Sequence, residues 1–377
     1  MYLDLHALQS VPPSNINRDD TGSPKTAMYG GALRARVSSQ AWKRAMREMF
    51  ADLLPEGQLG VRTKFVVPLI TERIVAKRED LAAHAEDYAK AVLDATGIKS
   101  SETDRKGSDE GVLATSYLVF IANRELDDLA DIAIAWADEG IDPKKPGSKS
   151  KKDVQRAFKG IQAVDIALFG RMLADASDFN VDACSQVAHS ISVNEISQEY
   201  DYFTAVDDCA ADDNAGAGML GTVSFNSSTL YRYATVDINA LMDQLENAEA
   251  TAQGAAAFVE AFVKSMPTGK QNTFANRTLP NVVVATLRDD QPINFASAFE
   301  CPVYAERDRS ITQIATKRLV ECACGIEEAY AQPASKSWHV SFGVDPTDLA
   351  HFGESVSFDA LVTGVREAVE TALATKE

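Results

Sequence analysis

A combination of residues suited to binding an anion lies near the amino terminus, in the stretch GALRARVSSQAWKRAMREMF. Gln40, Lys43 and Arg47 are spaced i, i+3 and i+7, so on a helix they form one stripe opposite an apolar face. Either Ser38 or Ser39 can cap that helix. Cations, hydroxyls and the N–H groups of a helix N-terminus together suit phosphate oxygens. The sequence therefore predicts a phosphate site, with an ordinary solvated helix face as the alternative.

Further basic residues surround this stripe. Arg44 flanks it, and Arg34 and Arg36 precede it in the strand-like segment LRARV. Arg18 and Lys25 lie in the loop before that segment, which is dense in Pro, Gly, Asn and Asp. This loop could fold over a bound strand, and a surface turn with incidental cations is the alternative.

The segment PTGKQNTFANR, residues 267–277, joins a Gly–Lys turn to several side-chain amides. It lacks the first glycine and the spacing of a Walker A loop. The side-chain amides of Gln271, Asn272 and Asn276, together with backbone N–H groups of the segment, could instead hold a sugar–phosphate backbone. As an isolated motif the segment is weakly specific.

Two aromatic residues, Tyr202 and Phe203, stand in the acidic, Gly-rich segment 192–222. Exposed aromatics in such a segment can wedge against nucleobases. The alternative is an anchor that holds the segment to its own domain or to a neighbouring subunit. The nearby Asp207 and Asp208 have no regular ligand spacing, so neither a metal site nor a cofactor is expected.

The segment DPKKPGSKSKKD, residues 142–153, is rich in Pro, Gly, Ser and Lys, which predicts an unpacked loop. Without aromatics, it could contact nucleic acid only through phosphates, in a salt-sensitive and sequence-independent way. A solvated loop is the alternative. Its lysines are Lys144, Lys145, Lys149, Lys151 and Lys152.

The elements that must position these residues alternate between strand and helix patterns. YLDLHAL predicts a half-buried strand, with Asp4 and His6 on the polar face. TVSFNSSTLYRYATVDI and NVVVATLRD predict two more strands, and residues 62–140 are mostly helical. This order indicates an α+β fold, for which an RRM-type, ferredoxin-like sheet with a large helical insertion is the natural candidate.

Composition limits the class of protein. The 377 residues carry a formal net charge of −18, which by itself argues against nucleic acid. The charge is unevenly distributed, however, because residues 1–50 total +3 and residues 142–160 total +5. No apolar run can span a bilayer, and five cysteines form no disulfide framework, so a cytoplasmic protein without membrane contact is expected.

Several of these segments occur together and in one order that resembles a known family. They are NRDDTGSPKTAMYGGALRARVSSQAWKRAMR, DIALFGRM, NVDACSQVAHSISVNE, DYFTAVDD, GTVSFNSSTLYRY and PTGKQNTFA. As a set they resemble the CasC family, the backbone subunit of the type I-E CRISPR Cascade complex, over about residues 2 to 345. The last thirty or so residues are less distinctive.

The resemblance implies an RRM-like palm with an inserted helical fingers lobe and a thumb hairpin. It places palm segments at 1–60, 182–191 and 223–377, the fingers at 61–181 and the thumb at 192–222. It implies a non-catalytic subunit that polymerises along a CRISPR RNA, grips and kinks it, and presents its bases to target DNA. The implied partners are the RNA, target DNA, further copies of the chain and other Cascade subunits.

The resemblance also implies roles for individual residues. The RNA-backbone contacts fall on Arg18, Lys25, Ser38, Gln40, Lys43 and Arg47, with Arg44 as a weaker candidate. The thumb wedge falls on Tyr202, Phe203 and Thr204, where Tyr202 stands at a place that can be Trp in the family. Met172 of GRM would pack against a displaced base, and Gly269, Lys270 and Gln271 would line the RNA path. The lysines of 144–152 would contact target duplex DNA.

Two other functions stay open on the sequence alone. The first is a metal-dependent endoribonuclease on the same sheet, with Asp207, Asp208 or Asp19 as ligands. The second is a purely structural protein that self-assembles without RNA.

Overall fold

The computed structural model describes residues 1–103, 110–158, 160–205 and 219–375. Its strands are β1 (Tyr2–Ser14), β2 (Thr26–Tyr29), β3 (Ala32–Val37), β4 (Gly60–Thr63), β5 (Ser100–Glu102), β6 (Leu113–Thr115), β7 (Val119–Ala122), β8 (Ser185–Val187), β9 (Ser190–Ser192), β10 (Glu199–Ala205), β11 (Met219–Asp237), β12 (Val282–Arg288) and β13 (Lys336–Ser341). Its helices are α1 (Ser39–Leu53), α2 (Val66–Lys77), α3 (Ala85–Thr96), α4 (Asn123–Asp138), α5 (Ser148–Ala157), α6 (Val164–Phe169), α7 (Ile238–Leu245), α8 (Ala248–Lys264), α9 (Gln271–Phe274), α10 (Ile311–Ala329) and α11 (Phe358–Ala374). The predicted α+β class is confirmed.

The chain forms two compact units. The first consists of Met1–Met49, Ser185–Asn239 and Ala255–Glu377, and the second of Phe50–Cys184 and Ala240–Gly254. Neither unit, within the residues described, contains a helix that is both long and apolar enough to cross a bilayer.

The first unit is built on a nine-stranded sheet in the order β13-β12-β1-β11-β9-β3-β2, with β8 and β10 also pairing with β11. Strand β1 pairs antiparallel with both β11 and β12 and is buried on both faces. The prediction of a half-buried strand was therefore wrong, because Asp4 and His6 are fully buried. Each side chain has one partner on the neighbouring strand: Tyr233 donates to the Asp4 carboxylate over 3.0 Å, and His6 Nδ1 lies 2.9 Å from the Tyr231 hydroxyl. His6 Nε2 has no partner among the described residues.

Strand β11 is long enough to pair with β1 over one part of its length and with β10 over another. Its residues from Asn226 to Asp237 pair with β1, whereas those from Met219 to Phe225 pair with β10. The described residues 199–205 of β10 and 219–225 of β11 thus pair as the two arms of a hairpin, which we call the 199–225 hairpin. This strand matches the one predicted from its β-branched and aromatic residues.

The second unit is mainly helical, with α2, α3, α4 and α5 packed around one apolar core. A buried ion pair supports it, because Arg171 Nη1 lies 2.7 Å from the Glu125 carboxylate. Burial raises the pKa of Glu125, and the charge of Arg171 opposes that shift.

The structure of the lysine-rich segment 142–153 differs from the predicted loop. Residues 148–157 form helix α5 and not an unpacked loop. Val154 and the following Phe158 are buried in the core of the second unit. Their i, i+4 spacing places both side chains on one face, so packing draws this polar segment into a helix.

Candidate nucleic-acid interface

Helix α1 has the two faces that its sequence predicts. Trp42 and Met46 are buried, while Gln40 is exposed and Lys43 and Arg47 are half-buried on the other side. Burial lowers the pKa of Lys43. Arg44 is exposed and bonded to Glu48 over 2.8 Å, one turn further along the helix.

The amino end of α1 is anchored to the sheet through Trp42. Its indole N–H donates to the Ser190 hydroxyl over 3.0 Å, and the Arg232 guanidinium lies 3.7 Å from its ring centroid. Arg232 is buried, bonds to Gln9 over 2.7 Å and also stacks on Phe262. Burial lowers the pKa of Arg232 to about 9. The helix start is therefore held rigidly.

The loop 15–25 folds back onto this helix start. Asn17 Oδ1 accepts from the Ser38 N–H over 2.9 Å, and the Asn17 carbonyl accepts from the Lys25 N–H over 2.8 Å. Asn15 ties the loop to the hairpin base by donating to the Ser224 carbonyl over 3.0 Å. Arg18 is exposed within the loop and Lys25 is half-buried. Both predicted cations thus lie on a loop that contacts the helix start.

The turn before α9 packs against the same loop. A Cβ added at Gly269 would lie 2.3 Å from the carbonyl oxygen of Ile16, so only glycine allows this approach. Lys270 adopts a left-handed conformation with φ of 52°, and Gln271 begins α9. The Phe274 and Phe225 rings, 5.7 Å apart, join α9 to the hairpin base.

The two arginines of LRARV have different environments. Arg34 is fully buried and donates to four backbone carbonyls, those of Ser192, Val193, Phe299 and Glu300. It is therefore a structural residue and does not add to the basic surface around α1. Arg36, two residues on, is half-buried, donating to the Thr26 carbonyl over 3.0 Å and lying 3.2 Å from His189.

The 199–225 hairpin leaves the aromatic residues of β10 in solvent. Every residue of β10 is exposed, with Tyr202 at 64% and Phe203 at 37%. Phe203 lies over Gly221, its cross-strand partner, where an added Cβ would meet the ring at 2.4 Å. Thr204 pairs with Leu220, which is 58% exposed. Within the described residues the aromatics are not anchored in a core, so the hairpin offers an open apolar surface.

The remaining predicted residues belong to the second unit. Met172 is 83% exposed, immediately after the buried Arg171. Lys144 and Lys145 lie in the turn before α5, and Lys152 is exposed in its first turns. The side chains of Lys149 and Lys151 lie outside the described part of the chain, as do Asp207 and Asp208.

Metal ligation finds no support in the part of the chain that the structure describes, where no cluster of three His, Cys, Asp or Glu residues could hold an ion. Asp19 closes the loop turn, accepting from the hydroxyl and N–H of Thr21 and from the Ser23 N–H. Those hydrogen bonds lower the pKa of Asp19.

Sequence reasoning missed several residues of this surface. Asn17 bonds the loop to Ser38 and Asn15 bonds it to the hairpin base, and the asparagine-rich composition of the loop was their only signal. Tyr200 and Leu220 are exposed beside Tyr202 on the hairpin, at 68% and 58%. The two-residue alternation of β10 could have identified Tyr200 on the face of Tyr202.

The chain matches a protein-family model and chains of solved structures. A family model described as CT1975-like protein matches residues 3–364. A chain of a structure described as "CRISPR RNA-guided surveillance complex, pre-nicking" is 36% identical, with a TM-score of 0.83, covering 98% of this chain and 100% of that one. A second, from a "CRISPR RNA-guided surveillance complex", is 31% identical, with a TM-score of 0.74 and the same coverage. No curated protein matches the chain.

Proposed function

This chain belongs to the CT1975-like family, which confirms the resemblance to CasC backbone subunits, and from that premise we propose that it grips the guide RNA of a CRISPR RNA-guided surveillance complex. The family is a non-catalytic one, so the proposed role is binding. The observation that carries the proposal is the junction of loop 15–25, the start of α1 and the Gly269 turn in one unit.

The chemistry of this junction suits a sugar–phosphate backbone. It offers the cations Arg18, Lys25, Lys43 and Arg47 together with the amino end of a fifteen-residue helix. These groups bind phosphates of any sequence, so the bases are left free. Base pairing with target DNA can then read the sequence, as a guide-loaded complex requires.

The 199–225 hairpin is proposed as the thumb. Its exposed face of Tyr200, Tyr202 and Leu220 would contact a neighbouring copy of the chain and kink the RNA at regular intervals. The exposure of these residues supports the proposal, because a hairpin packed on its own domain would bury them. Phe203 and Thr204 belong to the same wedge.

The second unit is proposed as the fingers lobe and the first as the palm. Exposed Met172 would pack against a displaced base, and Lys144, Lys145 and Lys152 would contact target duplex DNA through phosphates. The proposal extends to Lys149 and Lys151 and to the other subunits of the complex.

An endoribonuclease activity has no observation in its favour. Asp19 is occupied by its own turn, and no metal-binding cluster is found among the described residues. We therefore advance no second function.

The test is co-purification with RNA. The chain is expressed with the other subunits of its complex and a repeat-containing CRISPR transcript, and the bound RNA is extracted and sequenced. Short RNAs with repeat-derived ends are expected. RNA of random sequence that washes off with salt, or protein polymers without RNA, would contradict the proposal.

A further inference from the structure

A narrow cleft lies in the first unit where strands β1 and β11 stop pairing regularly. Val11 pairs with Ser228, but the next pair is Ser14 with Asn226, so Pro12 and Pro13 together face a single residue of β11. Proline has no N–H to donate, and the extra residue makes a bulge that interrupts the ladder. Residues from both strands line the cleft beside this interruption.

Asn226 brings an unsatisfied donor to the cleft wall. The residue lines the cleft and is only 7% exposed, and its Nδ2 has no hydrogen-bond partner within the described residues. A buried donor without an acceptor destabilises a folded chain, so such a group calls for an explanation. A hydrogen-bond acceptor from outside the chain, bound in the cleft, would satisfy this donor and so explain it.

Two cations line the same cleft, Lys25 and Arg36. Arg36 donates through Nε to the Thr26 carbonyl, and its Nη1 lies 3.2 Å from Nδ1 of His189. Because a guanidinium can only donate, Nδ1 must be the acceptor, so His189 is neutral here with its proton on Nε2. No described residue bonds to Nη2 of Arg36, which leaves that nitrogen for an outside acceptor.

The lining also determines what can enter. It contains cations, amides, hydroxyls and apolar residues but no carboxylate: Val11, Ser14, Ile16, Asn17, Pro24, Lys25, Ala35, Arg36, Val37, Asn226, Ser228 and Leu230. The space accommodates a single water-sized atom. A single negatively charged oxygen fits the size of the cleft and can accept hydrogen bonds from its donors.

We propose that this cleft seats one anionic oxygen of an RNA phosphate, bound by Asn226 Nδ2, Arg36 and Lys25 at the root of the 199–225 hairpin. The proposal rests on the RNA-binding function proposed above and adds Asn226 and Arg36 to the residues that bind. The seat fixes the RNA backbone at the point where the hairpin leaves the sheet.

The experiment measures RNA affinity and thermal stability on the full chain. Asn226→Asp keeps the shape of the side chain but replaces the donor with a negative charge, and Asn226→Leu removes the donor. Asn281→Asp is the matched control, since it makes the same charge change in the same unit and keeps the Oδ1 that accepts from the Ser10 N–H. The probes are a repeat-containing CRISPR RNA and, separately, inorganic phosphate.

We expect Asn226→Asp to weaken RNA binding by about tenfold or more, with Asn281→Asp close to wild type. Asn226→Leu should also weaken binding while the melting temperature of the RNA-free chain is unchanged or higher, because an unpaired donor has been removed. Unchanged RNA affinity in both variants would overturn the proposal. A lower melting temperature for Asn226→Leu with unchanged affinity would identify a structural water only.

A wild-type chain that binds no RNA would refute the proposed function. The measurement of thermal stability with inorganic phosphate then tests separately whether the cleft binds an anion. A rise in melting temperature with inorganic phosphate in the wild type but not in Asn226→Asp would support an anion seat for free phosphate. An equal response in the two proteins would overturn the seat as well.

Discussion

The side-chain Oδ1 of Asn17 accepts a hydrogen bond from the backbone N–H of Ser38 over 2.9 Å. This bond joins the loop that carries Arg18 and Lys25 to the residue immediately before helix α1. It satisfies the N–H of Ser38, and the N–H groups of Ala41 and Trp42 donate to the Ser38 carbonyl. Among the described residues, the N–H groups of Ser39 and Gln40 are then left for an anion. A single asparagine thus holds the loop that carries Arg18 and Lys25 against the start of the helix that carries Lys43 and Arg47, the four cations proposed to bind phosphate.

Asn17→Ala should therefore affect both stability and RNA binding. Loss of this hydrogen bond should cost about 1 kcal/mol of unfolding free energy, and a looser loop should weaken RNA binding severalfold. Asn294→Ala is the control, because Asn294 makes a similar bond to the Ala296 N–H over 3.0 Å elsewhere in the first unit. Denaturant unfolding and RNA titration measure both effects. Equal RNA affinities for the two variants would contradict this role of Asn17.

The basic stripe of α1 should determine part of the salt dependence of RNA binding. Replacing Lys43 and Arg47 together by Ala should weaken binding and reduce the slope of log affinity against log salt by roughly 0.7 per lost phosphate contact. Arg366→Ala is the control in the same unit, since Arg366 is exposed on α11 and belongs to no proposed RNA contact. An unchanged slope in the double variant would contradict the assignment of this stripe.

Tyr202 should matter for assembly and not for folding. Its side chain is 64% exposed, so Tyr202→Ala should change the unfolding free energy of the RNA-free chain by about 0.5 kcal/mol or less. Assembly along RNA, followed by size-exclusion chromatography, should be impaired. Trp42→Ala provides the contrast, with an expected loss of about 3–5 kcal/mol, because Trp42 is 2% exposed. A large loss of stability in Tyr202→Ala would instead indicate an anchoring residue.

RNA affinity should increase as the pH falls, through His189. Burial and the positive charges of Arg36 and Lys25 lower the pKa of His189 in the free chain. An RNA phosphate beside those cations offsets their charge and raises this pKa, so binding takes up a proton. The added affinity is fully present below the pKa of the free chain and is lost as the pH rises through the higher pKa of the bound state.

Titration of RNA between about pH 5 and 8 measures this dependence. His189→Gln should flatten the profile, whereas His84→Gln, a change at an exposed histidine of the second unit, should leave it unchanged. Parallel profiles for the wild type and His189→Gln would show that His189 takes up no proton.

The sequence by itself determined the elements whose periodicity is unambiguous and the family to which they belong. Helix α1, with its apolar and basic faces, and the long strand β11 follow from local spacing, because side-chain period is a property of neighbouring residues. The α+β class follows from the order of those elements. The motif set identified the family because many short segments occur in one order.

Tertiary structure decided how each polar residue is used. Arg34 and Arg36 are equivalent in the pattern LRARV, yet Arg34 is buried among four carbonyls that come from residues 192–193 and 299–300. Burial of Asp4 likewise depends on β11 and β12 flanking its strand, and α5 forms because Val154 meets a distant core. Such contacts join residues far apart in the chain, so local spacing carries no information about them.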